Sequence, residues 1–425
     1  MRTVVAIAAL LVGGGAAAAE GPLTVERAVA LALERNPEIS AREAGLRAAR
    51  ARLEGARLPF QANPEVAIAA GPRSRGGERS TDVDIELSQR VELFGQRGAR
   101  IDAARAEAAA AEGALAQRRA EIAAQTRIAF ARALAAERLA AIAEEDLALS
   151  REAARVAEKR LELGDGSRLE LNAARVEVGR AARGVALARQ AVDAARAELR
   201  LVTGTPAGAA LRLAGDLAPA GRGGAAPEAL VERALAGRGD LAAARHEVDA
   251  ARAEVRFAAR EWLPLPRLGA GFKREEGADI VVGTVAFDLP VWNRNPAGRG
   301  TASARLSRAE SELGAAERRV REEVLLAARR VAAAREAAQA FDADVVGATK
   351  ENLALTTQAY QSGKLDLVQV LLIRRSAIEA RRGEVEALAA LAEAEAELAR
   401  VSGATVDEWK ELQREDEFLD GETAP

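Results

Sequence analysis

The sequence predicts a mainly α-helical protein with a small β part, built as a tandem duplication that gives four strands and long antiparallel coiled-coil helices. The composition is dominated by Ala, Leu, Arg and Glu, with only 3% aromatic residues, which is typical of long helices. The 13 prolines avoid residues 73–205 and 297–424. Because a proline inside a helix costs about 3 kcal/mol, these stretches can hold very long helices. Short segments with a two-residue hydrophobic period add the β part.

The first 19 residues have the pattern of a signal peptide. Arg2 precedes an apolar run over residues 4–12, and three alanines at 17–19 end before Glu20. The mature chain is therefore expected to work outside the cytoplasm. No later run reaches the roughly 18 uncharged apolar residues of a membrane-spanning helix, so any membrane part is expected to be a barrel.

Cysteine content and charge exclude several classes of protein. The chain has no cysteine, which excludes disulfides, thiolate metal sites and lipidation through an N-terminal cysteine. Its 61 Lys+Arg and 64 Asp+Glu are interspersed rather than grouped in blocks. This pattern argues against a nucleic-acid partner.

The sequence contains an internal tandem duplication. Gly164 recurs as Gly363, and Arg183-Gly184 recurs as Arg382-Gly383, with an offset close to 200 residues throughout. The predicted organisation is listed in chain order: signal peptide 1–19, first repeat 20–204, linker 205–226, second repeat 227–403 and acidic C-terminal tail 404–425.

Each repeat predicts one long outgoing helix and a shorter return helix. Apolar spacing of three and four residues predicts outgoing helices over 98–163 and 299–361, each roughly 90–100 Å long. Glycine turns at the tips 164–167 and 362–366 reverse the chain into return helices over 167–203 and 366–402. Helices at 38–58 and 240–262 have the length needed to stack end to end with the return helices.

The β part is predicted as two hairpins, 65–88 and 267–289. Residues 82–88 alternate, with Val83, Ile85 and Leu87 on one face and Asp82, Asp84 and Glu86 on the other. The expected loops are 72–80 and 274–279. Strands of this length, with one apolar and one polar face, suit a transmembrane barrel.

Four strands cannot close a barrel, because unpaired edges in lipid leave backbone groups without hydrogen bonds. Seven of the 12 aromatic residues fall near the strands, as interfacial girdles do. The chain is therefore expected to oligomerise in a membrane. Known single-chain barrels begin at about eight strands, and periodicity alone leaves two and three copies open.

These features resemble the TolC-type outer-membrane efflux proteins, in particular their cobalt-zinc-cadmium (CzcC-like) branch. The resemblance rests on the duplication and on these segments in order: Leu23-Thr24 with Ala28, Asn36-Pro37-Glu38-Ile39, 88–97 (SQRVELFGQR), 289–295 (LPVWNRN) and Tyr360-Gln361-Ser362-Gly363. It implies a homotrimer with a twelve-strand β-barrel in outer-membrane lipid and an α-helical barrel tunnel in the periplasm. It also implies a periplasmic adaptor (membrane fusion) protein and an inner-membrane RND-type pump as partners.

The resemblance places adaptor contact and gating at the two tips. The matching positions here are Leu161, Gly164, Ser167, Tyr360, Gly363 and Asp366. Family members often carry paired aspartates just past the second tip, where this chain has Gln369 and Leu372. Glu170, the repeat equivalent of Gln369, is the candidate replacement. Asp82, Asp84 and Glu86 are expected to face the lumen, where a threefold repeat would favour cations.

The sequence predicts neither an enzyme nor a cofactor site. It has no nucleophile-base pair and no phosphate-binding loop. His246 is the only histidine, and one His, one Met and no Cys cannot build a tight site for a borderline metal.

The predicted function is the outer-membrane channel of a tripartite efflux system, a passive exit duct for heavy-metal cations. A multidrug or type I protein-secretion duct is the alternative cargo reading. A periplasmic coiled-coil adaptor or scaffold is the alternative from another class of protein.

Overall fold

A computed structural model describes residues 21–217, 226–341, 343–362 and 364–404. The predicted signal peptide, most of the acidic tail, residues 218–225 of the linker and Gly363 lie outside these residues. The elements are listed in chain order: α1 (Val25–Arg35), α2 (Pro37–Arg57), β1 (Glu65–Arg75), β2 (Glu78–Arg90), α3 (Gln96–Glu162), α4 (Arg168–Thr203), α5 (Pro227–Gly237), α6 (Gly239–Glu261), β3 (Arg267–Glu275), β4 (Ala278–Ala286), α7 (Pro296–Gln339), α8 (Ala343–Gln361) and α9 (Leu367–Val401).

The mainly helical fold with a small antiparallel sheet is confirmed. The element order of helix, helix, hairpin, outgoing helix and return helix occurs twice along the chain. Among the described helices, none combines the length and the apolar character that crossing a membrane requires.

In the first repeat, α2 and α4 lie end to end along α3. Ion pairs mark the α2 half, with Arg119 2.8 Å from Glu43, and the α4 half, with Arg196 2.7 Å from Glu137. Buried Asn36 joins the two halves. Its Oδ1 accepts from the Glu38 N–H to cap α2, and its Nδ2 donates to the last turn of α4 at the Val202 carbonyl, 3.1 Å away.

The second repeat uses the same arrangement, with α6 and α9 along α7. Arg305 pairs with Glu254 of α6 at 2.7 Å, and Arg335 pairs with Glu395 of α9 at 3.2 Å. Arg238, only 4% exposed, stands where the first repeat has Asn36. It donates to the Val401 carbonyl at the end of α9, so it joins α6 to α9 as Asn36 joins α2 to α4.

The four strands form one antiparallel sheet in the order β1-β2-β3-β4. Both hairpin loops are shorter than the predicted 72–80 and 274–279. Pairing runs up to Arg75 with Glu78 and up to Glu275 with Ala278, so each hairpin turns on two residues. Both turn residues have positive φ, Gly76 and Gly77 in the first turn and Glu276 and Gly277 in the second, which is the geometry of tight hairpin turns.

The two larger differences from the predicted bounds both lie in the second repeat. The second hairpin, predicted to reach residue 289, ends its last strand at Ala286. The second outgoing helix, predicted as continuous over 299–361, is divided into α7 and α8. At the break, Phe341 packs on α9, and a Cβ built on Gly383 would lie 2.6 Å from the Phe341 ring. The contact is with a distant segment, so local periodicity carried no sign of it.

A further layer covers one side of α3 at mid-length. Leu23 forms a parallel bridge with Leu213 in the described part of the predicted linker. Leu23, Leu217 and α1 pack against α3 around Phe130 and Leu134. We call α1 with residues 21–24 and 205–217 the equatorial layer. It makes the described part of the linker an integral part of the core.

The two repeats meet at a close crossing of α3 and α6. A Cβ built on Gly113 would lie 2.8 Å from the Gly239 carbonyl oxygen, and one built on Gly239 would lie 2.5 Å from the Gly113 carbonyl oxygen. Two helix backbones therefore touch at this point, which only glycine permits on both sides.

We predict that Gly239→Ala destabilises the protein by about 1–3 kcal/mol, because the new Cβ must push the α3 backbone away. The measurement is the thermal midpoint of the helical circular dichroism signal in detergent. Gly45→Ala on α2, where a Cβ meets no atom within 4 Å, is the matched control. It should stabilise by about 0.5–1 kcal/mol through helix propensity. Equal midpoints for the two variants would contradict the tight crossing.

Candidate functional site

The sheet presents an exposed apolar face. Alternate residues of all four strands place their side chains on it, and several are largely exposed, including Ile68 at 70% and Val281 at 84%. The aromatic residues Phe60, Phe94, Phe287 and Trp292 are exposed near the helical end of the sheet, Trp292 at 94%. A broad apolar face of this kind is unfavourable in water and suits contact with lipid or with a protein partner.

The opposite face carries a network of charges that ties three strands together. Asp82 on β2 lies 2.7 Å from Arg73 on β1, and Asp84 lies 3.1 Å from Lys273 on β3. Arg73 also bonds Glu275 at 2.5 Å. Two of the three predicted lumen carboxylates are therefore paired with cations on neighbouring strands.

Glu86, the third predicted lumen carboxylate, sits differently. Its cross-strand neighbour on β3 is Gly271, and a Cβ on nearby Gly269 would lie 2.8 Å from its Oε1. The glycines leave room for the carboxylate. Within the described residues Glu86 makes no direct ion pair, and it acts on Lys273 only through space.

The first tip is a turn whose conformation is determined by a glycine and a helix cap. Gly164 has φ +79° and ends α3 in the left-handed conformation that glycine tolerates. Ser167 then caps α4 in a capping box. Its hydroxyl accepts from the Glu170 N–H at 3.1 Å, and the Glu170 carboxylate accepts from the Ser167 N–H at 3.4 Å.

The second tip is built the same way. Asp366 caps α9, accepting from the Gln369 N–H at 2.8 Å, and Gln369 Oε1 accepts from the Asp366 N–H at 3.3 Å. The two gate candidates Glu170 and Gln369 therefore share a structural role as the third residue of a capping box. The sequence signal was present in the spacing of Ser167 to Glu170 and of Asp366 to Gln369.

Tyr360 joins the two tips. Its ring is 3% exposed and packs with Ala157 of α3 and Leu171 of α4, against Leu367 of its own tip. Partly buried Leu161 lies beside this cluster, and the Arg160 guanidinium is 5.7 Å from the ring centroid. Burial raises the pKa of Tyr360 above its ordinary value, although Arg160 opposes the shift. Sequence reasoning selected Tyr360 and missed Arg160.

A second link between the repeats was missed by sequence reasoning. Arg374 on α9, 7% exposed, donates to Asp146 Oδ1 and Ser150 Oγ on α3, both 2.5 Å away. Asp146 and Arg374 are 228 residues apart in sequence. Neither repeat carries a local signal for the pair.

No metal site is apparent in the described part of the chain. His246 is half exposed, and its Nδ1 lies 3.8 Å from Asp249. Within the described residues, no group of three or more His, Asp or Glu side chains could hold a metal ion.

The sequence and the fold were compared with those of known proteins. Residues 28–205 and 230–404 match the family model described as outer membrane efflux protein. The chain is 28% identical over 367 residues to the cobalt-zinc-cadmium resistance protein CzcC of Cupriavidus metallidurans, covering 85% of this chain and 86% of the relative.

Two further comparisons agree. The nickel-cobalt-cadmium resistance protein NccC of Alcaligenes xylosoxydans xylosoxydans is 29% identical over 410 residues, covering 92% of this chain and 90% of the relative. The solved structure of the outer membrane protein VceC of Vibrio cholerae superposes with a TM-score of 0.73 at 17% identity. The superposition covers 89% of this chain and 96% of the VceC chain.

We predict that Tyr360, the single tyrosine, titrates at higher pH in the folded protein than in guanidinium. Because the folded pKa is raised, the contribution of the neutral phenol to stability is complete below the unfolded value of about 10. It is lost as the pH rises through the folded value. The measurement is the ultraviolet absorbance of the phenolate, with Tyr360→Phe as the blank. Coincident folded and unfolded titrations would contradict the buried position.

Proposed function

Since the chain belongs to the family of outer membrane efflux proteins, we propose that three copies of it form the exit duct of a tripartite efflux system, with heavy-metal cations as cargo. Members of the family are outer-membrane channels and not enzymes, and they work with an adaptor and an inner-membrane pump. Family membership sets aside the periplasmic scaffold alternative. The sheet with one apolar and one charged face is the observation that carries the proposal.

The sheet supports assembly through its edges. In the described part of the chain, β1 and β4 lie at the two edges of the four-stranded sheet. Backbone groups at an edge cannot be satisfied by lipid. Pairing β1 of one copy with β4 of the next would satisfy both edges and close a barrel, with Ile68 and Val281 toward lipid and Asp82 and Asp84 toward water.

The helices support assembly through an incomplete burial pattern. Twenty-three residues of the 67-residue α3 are buried, but only six of the 44 residues of α7 are. Helix α3 packs on the return helices of both repeats, α4 and α9, whereas α7 packs on α5, α6 and α9 of its own repeat. Because α3 and α7 are equivalent in the two repeats, α7 is expected to need helices like α2 and α4 on its open side. These helices would come from another copy. Three copies agree with the trimer that the family resemblance implies.

In this arrangement the sheet lies in the outer membrane and the helical tips point into the periplasm. We assign adaptor contact and gating to the tips at Leu161, Gly164, Ser167, Tyr360, Gly363 and Asp366. Tyr360 supports this assignment, because its burial between the two tips couples their positions. Residues 1–19 would direct export, and a chain without cysteine would carry no cysteine-linked lipid.

The cargo proposal rests on the relatives. CzcC and NccC are named for cobalt, zinc, cadmium and nickel resistance. The described residues offer no cluster that could retain such ions. A passive duct needs none, because tight binding would slow exit. Organic solutes or proteins are the competing cargoes.

We predict that the protein is recovered from the detergent-solubilised outer membrane as a heat-modifiable trimer. Ile68→Arg should reduce that trimer, because an arginine facing the bilayer midplane costs about 2–4 kcal/mol. Ala67→Arg, one residue away on the charged face opposite Glu86, is the matched control and should preserve it. Recovery of the wild-type protein in osmotic-shock fluid, or equal loss in both variants, would contradict the barrel.

We predict that deleting the gene in its host lowers tolerance to zinc, cobalt, cadmium or nickel and leaves tolerance to a panel of organic drugs unchanged. Growth inhibition is measured with and without a plasmid copy of the gene. Unchanged metal tolerance together with lost drug tolerance would overturn the metal cargo and leave the duct itself intact.

A further inference from the structure

An open groove of about 620 Å³ runs along α3 between α4 and α9. Its floor is apolar and includes Ala136, Leu139 and Ala143 of α3. Charged side chains surround this floor, and the lining includes six arginines and only four carboxylates. The groove therefore carries two positive charges in excess, although the whole chain is slightly acidic at −3.

The groove faces away from the equatorial layer. On α3, Leu134 packs against that layer and Arg138 pairs with Asp216 of it. The groove residues Ala136 and Ala143 lie two and nine positions after Leu134, which is roughly 200° and 180° around the helix. In a duct the equatorial layer must lie outside, because inside it would fill the path. The groove then faces the lumen, and this step rests on the proposed function.

Four of the six arginines are held by carboxylates. Their pairs are Arg132 with Glu393 at 2.8 Å, Arg180 with Glu177 at 3.6 Å, Arg374 with Asp146 at 2.5 Å and Arg375 with Glu379 at 3.0 Å. The other two, Arg183 on α4 and Arg382 on α9, are exposed. Within the described residues neither has an ion-pair or hydrogen-bond partner. These two residues are also repeat equivalents, so the duplication places one unpaired arginine on each side of the same groove.

We propose that Arg183 and Arg382 form an anion-binding station on the inner wall of the duct, which takes a carboxylate or phosphate group of a passing solute. A guanidinium binds such groups through parallel N–H donors. The apolar floor beside the two arginines accommodates the carbon part of an organic anion.

Part of the positive charge of the groove is fixed in position by buried contacts. Arg374, at the groove edge, is buried and fixed by Asp146 and Ser150, and its Nε has no hydrogen-bond partner within the described residues. In a trimer the excess of two charges would recur three times around the lumen, which concentrates anions at this level. A metal cation would then cross this section most easily as a complex with anionic ligands.

The test reconstitutes the wild-type protein in planar bilayers under a KCl gradient and measures the reversal potential. We expect Arg183→Gln/Arg382→Gln to lower the chloride-to-potassium permeability ratio by roughly threefold. Inorganic phosphate on the helical side should reduce the wild-type current in a saturable way, and the double variant should lose this block. The control is Arg212→Gln, an exposed arginine of the equatorial layer that should change neither quantity.

Channels that conduct normally but show the same permeability ratio and phosphate block in the double variant would overturn the station. An equal change in Arg212→Gln would also overturn it, since the effect would then be general surface charge. If the wild-type protein forms no channels, the duct itself fails, which is a different result from either of these.

Discussion

The structure depends on the burial of one 67-residue helix. At about 1.5 Å per residue, α3 is roughly 100 Å long, far beyond what helix propensity stabilises in isolation, so its sides must be covered by packing. Helices α2 and α4 cover one side, α6 and α9 cover another, and the equatorial layer covers a third at mid-length. Both repeats are therefore organised around a helix that belongs to the first.

The burial of α3 contrasts with that of its counterpart in the second repeat. Helix α7 has the same place in the second repeat as α3 in the first, yet it buries few residues. In the trimer that we propose, the open side of α7 and the two sheet edges would each meet a neighbouring copy. The same contact between unlike surfaces would then repeat from copy to copy and close into a ring.

The ion pairs between the helices fall into two groups. Most join exposed side chains, such as Arg119 with Glu43, and each contributes at most about 1 kcal/mol. The buried arginines Arg238 and Arg374 differ, since removing their carboxylate partners would leave a buried charge without compensation. These two residues lie where helices of different segments meet. They therefore fix the position of α9 against α6 and α3, while the exposed pairs mainly keep the helices soluble.

The sequence by itself determined the local elements and their order. The two-residue and 3.6-residue periods, the proline-free stretches, Gly164 and the caps Ser167 and Asp366 all act within a few residues, so they are readable without a fold. The equivalence of Arg183 and Arg382 was readable too, because a duplication repeats in the sequence itself. Their place on one groove was not, since it depends on how α4 and α9 flank α3.

Only the tertiary structure decided the contacts between distant segments. In the sheet, Asp82 pairs with Arg73 and Asp84 with Lys273, while Glu86 makes no direct ion pair within the described residues. Phe341 packs on Gly383 where the second long helix divides. Arg374 pairs with Asp146, 228 residues away in sequence. Such contacts depend on strand register and helix alignment. Both are fixed by the combined packing of many weak contacts, and no short stretch of sequence encodes them.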